Sequence, residues 1–302
     1  MKNCLFNGSG TALITPFHED LQVDFHFFET LVRFQIENQT DALIIAGTTG
    51  ESPVLTNDEK NELFEIAVSM TNKKIPVIAG TGSNNTQDAV RKSNEAEKKG
   101  VNGLLIVTPF YNKCTQEGLI KHYHYIADRV STPIIVYNVP SRTGVNITPE
   151  AYAAITEHKN IVGIKEANGD LSSAAKTLTL CKDKAVIYSG NDDQTLAMMA
   201  LGAKGVISVA ANIIPEQMHK LTTYALKDEF NKALEVHQKY LRLMNLLFCE
   251  VNPIPVKAAA EHLFQKIQKL RLPLTEISQK NRLELLKELD RLALDTKSIN
   301  LD

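Results

Sequence analysis

The chain has 302 residues with 33 Lys+Arg against 35 Asp+Glu, a formal charge of −2 that leaves no basic excess for a nucleic acid or a membrane surface. At 43% hydrophobic and 23% charged, the composition is that of a soluble globular protein able to bury a sizeable core. Cys4, Cys114, Cys181 and Cys249 lie far apart with no CxxC pair, and no His/Cys cluster has zinc spacing, so neither a disulfide framework nor a structural metal is expected.

In chain order, short apolar runs alternate with longer helical stretches. The runs begin at Thr11 (TALITPF), Asp41 (DALIIAG), Ile75 (IPVIAG), Gly103 (GLLIVTP), Pro133 (PIIVYNV), Ile161 (IVGIKEA), Ala185 (AVIYSG) and Gly205 (GVISVA). Each is rich in Ile, Val and Leu without polar alternation, as in strands covered on both faces. Between them apolar residues recur at helical spacing, for example Leu63, Ile66, Ala67 and Met70, and Thr56 with Glu59 reads as a capping box that starts that helix. The HYHY stretch at His122 and His124 reads as a solvated helix face. Eight strands at intervals of roughly 20 to 34 residues, seven of them followed by helices, predict a (β/α)8 barrel of the TIM type. A doubly wound sheet would need a glycine-rich phosphate loop after its first strand, and HEDLQVDF stands there instead.

From about Glu229 the strands cease. Three helices are expected: one through Leu247, one from Pro255 to about Ile267, and one from about Ser278 to Leu294, with an extended crossing at LRLPL around Pro273. The expected organisation is therefore a catalytic barrel over residues 1–228 and a C-terminal three-helix appendage over 229–302. No low-complexity stretch is evident before the last few residues. The start, MKNCLFNGSG, has no apolar signal-peptide core, and no apolar run approaches the ~18 residues of a membrane span, so a cytoplasmic location is expected.

Strand C-termini line the active site of such a barrel. One cation stands there: Lys165 ends the apolar run IVGI. A lysine in that place either snorkels to solvent or serves as a Schiff-base nucleophile, because an amine that loses its proton attacks a carbonyl. The second role requires a setting that destabilises the ammonium by several kcal/mol, which a barrel interior can supply. GTTGES, Gly47 to Ser52, is either a plain turn or a loop whose consecutive amides hold a carboxylate; it has neither P-loop nor GxGxxG spacing. In YNVPSRTG, Tyr137 offers a phenol for proton relay and Arg142 a guanidinium fork for a carboxylate, or else only a surface charge.

In combination these motifs resemble the dihydrodipicolinate synthase (4-hydroxy-tetrahydrodipicolinate synthase) family, within the pyruvate-dependent Schiff-base aldolases. The resemblance runs through GTTGESPVL, VIAGTGSNNT, TPFYNK, YNVPSRTG, GIKEA, YSGNDD, GVISV and NPIPVKAA, in that order over essentially the whole chain. It implies that pyruvate condenses with L-aspartate 4-semialdehyde to give 4-hydroxy-tetrahydrodipicolinate, the first committed step of diaminopimelate and lysine biosynthesis. Lys165 matches the lysine that condenses with pyruvate. Thr48, Tyr137 and Tyr111 match a hydroxyl relay, with Tyr111 expected from a neighbouring subunit. Thr49 matches the carboxylate-binding loop, and Arg142 the receiver of the second substrate's carboxylate. Gly190 and Ile207 match positions whose carbonyls shape the pocket. The resemblance also implies no metal, no organic cofactor, and a homotetramer, or at least a dimer.

One departure concerns regulation. Members inhibited by lysine bind it at a dimer interface through positions matching Ser52, Pro53, Asn57, Lys60, Asn84, Asp88 and Phe110. Lys60 would repel a cationic effector and Phe110 lacks a hydroxyl, so weak or absent feedback inhibition is expected. N-acetylneuraminate lyase or a related sugar-acid aldolase is the rival enzyme reading. Thr48-Thr49 together with Arg142 favours the synthase. A non-catalytic barrel is the rival of another class, and the intact Lys165, Tyr137 and Thr48 set argues against it.

Overall fold

The computed structural model describes residues 4–294, so the ends of the expected barrel and appendage segments, 1–3 and 295–302, lie outside the described residues. Eight strands form in the order of the apolar runs: β1 (Gly8–Ala12), β2 (Ala42–Ile45), β3 (Val77–Gly80), β4 (Gly103–Val107), β5 (Ile134–Asn138), β6 (Ile161–Glu166), β7 (Val186–Ser189) and β8 (Gly205–Ser208). Each pairs in parallel with the next and β8 closes on β1, a closed (β/α)8 barrel. The strands lack polar alternation because both faces are covered. Inward-facing Ile44, Ile78, Leu105, Ile135 and Ile207 fill the barrel, and outward-facing neighbours such as Leu43, Val77 and Leu104 pack under the helices.

Helices follow every strand. They are α1 (Phe25–Glu37), α2 (Asn57–Thr71), α3 (Thr86–Lys98), α4 (Gln116–Ala127), the short α5 (Pro140–Thr143), α6 (Pro149–Ile155), α7 (Leu171–Cys181), α8 (Thr195–Ala200) and α9 (Pro215–Leu226). Polar caps start several of them. The Thr56–Glu59 capping box opens α2 as expected, and Asp24, Asn85, Thr115, Thr148 and Asp170 cap α1, α3, α4, α6 and α7. All eight strands carry a helix, α9 following the last, where seven were expected to do so. No helix of the described residues is long and apolar enough to cross a membrane.

The first strand starts three residues before its apolar run. Gly8, Ser9 and Gly10 pair with Gly205, Val206 and Ile207, although glycines weaken a strand reading. Gly10 is required because a Cβ there would stand 2.8 Å from both Phe6 and Ile44. The space it leaves admits Phe6, which plugs the barrel floor and stacks on Tyr188 with ring centroids 4.3 Å apart. On α4, His122 is buried rather than solvated, its Nδ1 2.9 Å from the Thr86 hydroxyl. Burial pushes its pKa down to about 4.

Beyond the barrel lie α10 (Phe230–Leu246), α11 (Ile254–Phe264) and α12 (Gln279–Leu292). The second of these ends three residues before Ile267 because Gln265 turns left-handed, with φ +52°. LRLPL is not a simple crossing: the chain turns there, with the Leu274 amide donating to the Arg271 carbonyl at 3.1 Å. The apolar shell continues unbroken into this region. Phe264 packs edge-on against Phe27 and Phe34 of α1, at centroid distances of 5.7 and 5.3 Å.

Candidate active site

Register brings the two central side chains together. Tyr137 on β5 is the direct partner of Lys165 on β6, so both point into the barrel mouth. Lys165 is 5% exposed, and its Nζ lies 4.2 Å from the Tyr137 ring centroid. The next residues along, Asn138 and Glu166, also pair and face outward. There the Glu166 carboxylate accepts from Asn138 Nδ2 at 3.0 Å, Tyr152 OH at 2.8 Å and the Asn168 amide at 2.8 Å. Burial nevertheless pushes the Glu166 carboxyl up to about 7. This outer polar cluster fixes the strand whose opposite face presents Lys165.

Two cavities of about 380 Å³ each meet at Thr48, Tyr137, Val139 and Arg142. The first to consider holds Lys165, with Thr49, Gly190 and Asn191 on its walls. Gly190 has no room for a side chain, since a Cβ would come within 2.6 Å of Ala167. Ile207 contributes differently: its side chain is fully buried in the barrel filling, and Val209, two residues on, reaches the cavity wall. The loop carrying Val209 is held by buried Asp192, whose Oδ2 accepts from the amides of Val209 at 3.0 Å and Ala210 at 2.9 Å. Burial raises the Asp192 pKa.

The other cavity runs outward past Ser52, Asn57, Ser83 and Phe110 to Lys60 and Lys92. Burial and the neighbouring Lys92 push the Lys60 amine down to about 8. Tyr111 does not join the mouth within the chain. It stands 92% exposed on a backbone with φ +69° and lines neither cavity.

One contributor lay outside the candidate list. The segment from Phe248 to Asn252, just before α11, crosses the mouth and lines the Lys165 cavity. Asn252 ties two expected residues: its Nδ2 donates to Thr49 Oγ1 at 3.0 Å, and its carbonyl accepts from Arg142 at 2.8 Å. NPIPVKAA marks this segment in the sequence, but only its approach from 203 residues away gives it a role at the site. Among the described residues no group of three or more His, Cys, Asp or Glu side chains is placed to hold a metal ion.

A closed parallel barrel with a buried lysine at the end of β6, set over a phenol at the barrel mouth, is the frame of a barrel lyase. Within that class the chain belongs to the dihydrodipicolinate synthetase family, whose model matches residues 5–292. It is 47% identical over 287 residues to the 4-hydroxy-tetrahydrodipicolinate synthase of Alkaliphilus oremlandii, covering 95% of this chain and 99% of that one. Its fold is similar to the dihydrodipicolinate synthase of Thermotoga maritima, with a TM-score of 0.95 and 45% identity over 97% of this chain and 100% of the other. It is also similar to the Acinetobacter baumannii dihydrodipicolinate synthase solved in complex with pyruvate, with a TM-score of 0.94 and 39% identity over 96% and 99% of the two chains.

Proposed function

We propose that this enzyme condenses pyruvate with L-aspartate 4-semialdehyde through a Schiff base on Lys165, giving 4-hydroxy-tetrahydrodipicolinate for diaminopimelate and lysine biosynthesis. The observation that carries the reading is the buried Lys165 amine over Tyr137, in one cavity with Thr48, Thr49 and Arg142. Its relatives are named for this activity, and one of them was solved with pyruvate. The comparisons favour it over the sugar-acid aldolase reading.

In the proposed mechanism the neutral Lys165 amine attacks the ketone carbon of pyruvate, and water leaves to give an imine. Loss of a methyl proton gives the enamine, whose carbon attacks the semialdehyde carbonyl. The amino group of the second substrate then attacks the imine carbon, closes the six-membered ring and releases Lys165. Amides of the Thr48–Thr49 turn hold the pyruvate carboxylate, and Arg142, at the junction of the two cavities, receives that of the semialdehyde. Tyr137 passes protons along a hydroxyl chain with Thr48 and Tyr111.

Tyr111 reaches a site only in an oligomer. Its exposure, beside exposed Phe110, supports a dimer contact, and exposed Leu171, Leu180 and Leu201 on and after α7 and α8 offer further apolar surface for a tetramer. A cytoplasmic location is consistent with four cysteines that form no disulfide. The test is borohydride reduction in the presence of pyruvate followed by mass mapping, then turnover with L-aspartate 4-semialdehyde against N-acetylneuraminate. An adduct on Lys165 and turnover of the semialdehyde are expected; an unmodified Lys165 sinks the reading.

A further inference from the structure

Glu51 ends the Thr48–Glu51 turn with a backbone that a side-chain-bearing residue enters at a cost. Its φ is +55°, left-handed, and the residue is only 2% exposed. A buried carboxylate on such a backbone persists when its surroundings over-determine it. Here the surroundings come from the far end of the chain. Lys257 of α11 donates from Nζ to Glu51 Oε1 at 2.5 Å, and the Arg271 amide donates to Oε2 at 3.2 Å.

Lys257 is itself held. It is 1% exposed, donates to the Lys269 carbonyl at 2.6 Å, and lies 4.1 Å from the centroid of the Phe17 ring. The Arg271 guanidinium sits 4.4 Å from the same ring and grips both oxygens of Glu59 on α2, at 2.9 and 2.5 Å. The two residues before Glu51 are anchored as well: Gly50 accepts from the Thr15 hydroxyl at 2.8 Å, and Thr49 from Asn252. Burial pushes the Lys257 amine down to about 8 although Glu51 lies beside it. A buried ion pair adds little net stability, because desolvating both charges offsets their attraction.

We propose that Lys257 is a positioning residue for the pyruvate subsite, holding Glu51 so that the Thr48–Thr49 amides keep the aim that receives a keto-acid carboxylate. The inference deepens the functional reading above and rests on it. The three-helix region then contributes to the active site's construction through Lys257, which touches no substrate, as well as through Asn252.

The experiment compares the full-length enzyme with Lys257→Met, Lys257→Arg and the double variant Glu51→Gln/Lys257→Met. It reads KM and kcat for both substrates, the thermal midpoint, and borohydride trapping of pyruvate on Lys165. Lys257→Met is expected to raise the pyruvate KM about tenfold or more while the semialdehyde KM stays within about threefold, and still to trap pyruvate on Lys165 at high concentration. The double variant, which strands no buried charge, folds and keeps the raised pyruvate KM, and Lys257→Arg recovers part of the loss. If Lys257→Met does not fold, the double variant decides. A double variant with the parental pyruvate KM, or variants that lose only active fraction at unchanged KM, overturns the proposal. Failure of both the Met and the double variants to fold also overturns it, since a residue that only aims a loop leaves the barrel able to close. If the parental enzyme itself traps no pyruvate on Lys165, the functional reading falls instead.

Discussion

Glu166 and His122 pull stability in opposite directions as pH changes. The Glu166 carboxyl titrates near 7 in the folded chain against 4.5 when free, so its contribution is full below 4.5 and is lost as pH rises through 7. His122 titrates near 4 against 6.5, so its contribution is present above 6.5 and lost as pH falls through 4. Between pH 5 and 7 the two trends cancel in part. Removing one exposes the other: Glu166→Gln is expected to make the unfolding free energy at pH 7, relative to that at pH 5, higher by about 2 kcal/mol than in the parent. Urea titrations at the two pH values check this, and an unchanged difference contradicts it. The same strand presents Lys165 on its opposite face. Lys165 was legible as a cation ending an apolar run, but Asn252 was not, because a single asparagine between valine and proline carries no chemical signature of its own.

Among the elements, β1 shows how local preference yields to packing. Its Gly8 and Gly10 stand ahead of the apolar run that begins at Thr11, yet both pair with β8: Gly8 has φ +106° and lies against the Asp41 carboxylate, and Gly10 leaves the room that Phe6 takes in the barrel floor. Gly10→Ala places a methyl group against Phe6 and Ile44, and the expected loss of unfolding free energy is about 1–3 kcal/mol. Phe6→Leu costs stability on its own by thinning the plug. If the two residues compete for one space, the double variant is less destabilised than the sum of the single variants by more than about 0.5 kcal/mol. Additive losses in denaturant unfolding would mean that Gly10 is needed for its backbone and not for the room it leaves. The remaining strands were legible because burial on both faces writes itself as continuous Ile, Val and Leu, and α2 because its cap is local in sequence.

For the molecule as a whole, the proposed assembly makes a prediction about Tyr111. Tyr111 belongs to the proposed relay but stands in solvent. Lys165→Ala and Tyr111→Phe enzymes are each expected to be nearly inactive or strongly slowed. When they are dissociated, mixed and reassociated, hybrids gain one intact site per pair, and activity returns to about a quarter of the parental level for a dimeric exchange unit. No recovery on mixing, with hybrids shown to form, would place Tyr111 in the site of its own chain.

The amino-acid sequence by itself determined the barrel, the order of its strands and the lysine, phenol and hydroxyl-bearing turn at its mouth. Those features follow from short-range patterns: apolar runs, caps, and polar residues at strand ends. Tertiary structure alone decided that Tyr137 and Lys165 are register partners, that Phe248–Asn252 roofs the cavity, and that Glu51 meets Lys257 across 206 residues of chain. The physical reason is that strand pairing and buried charge pairing depend on which distant segments closure of the barrel brings within a few ångströms, and no local pattern encodes that distance.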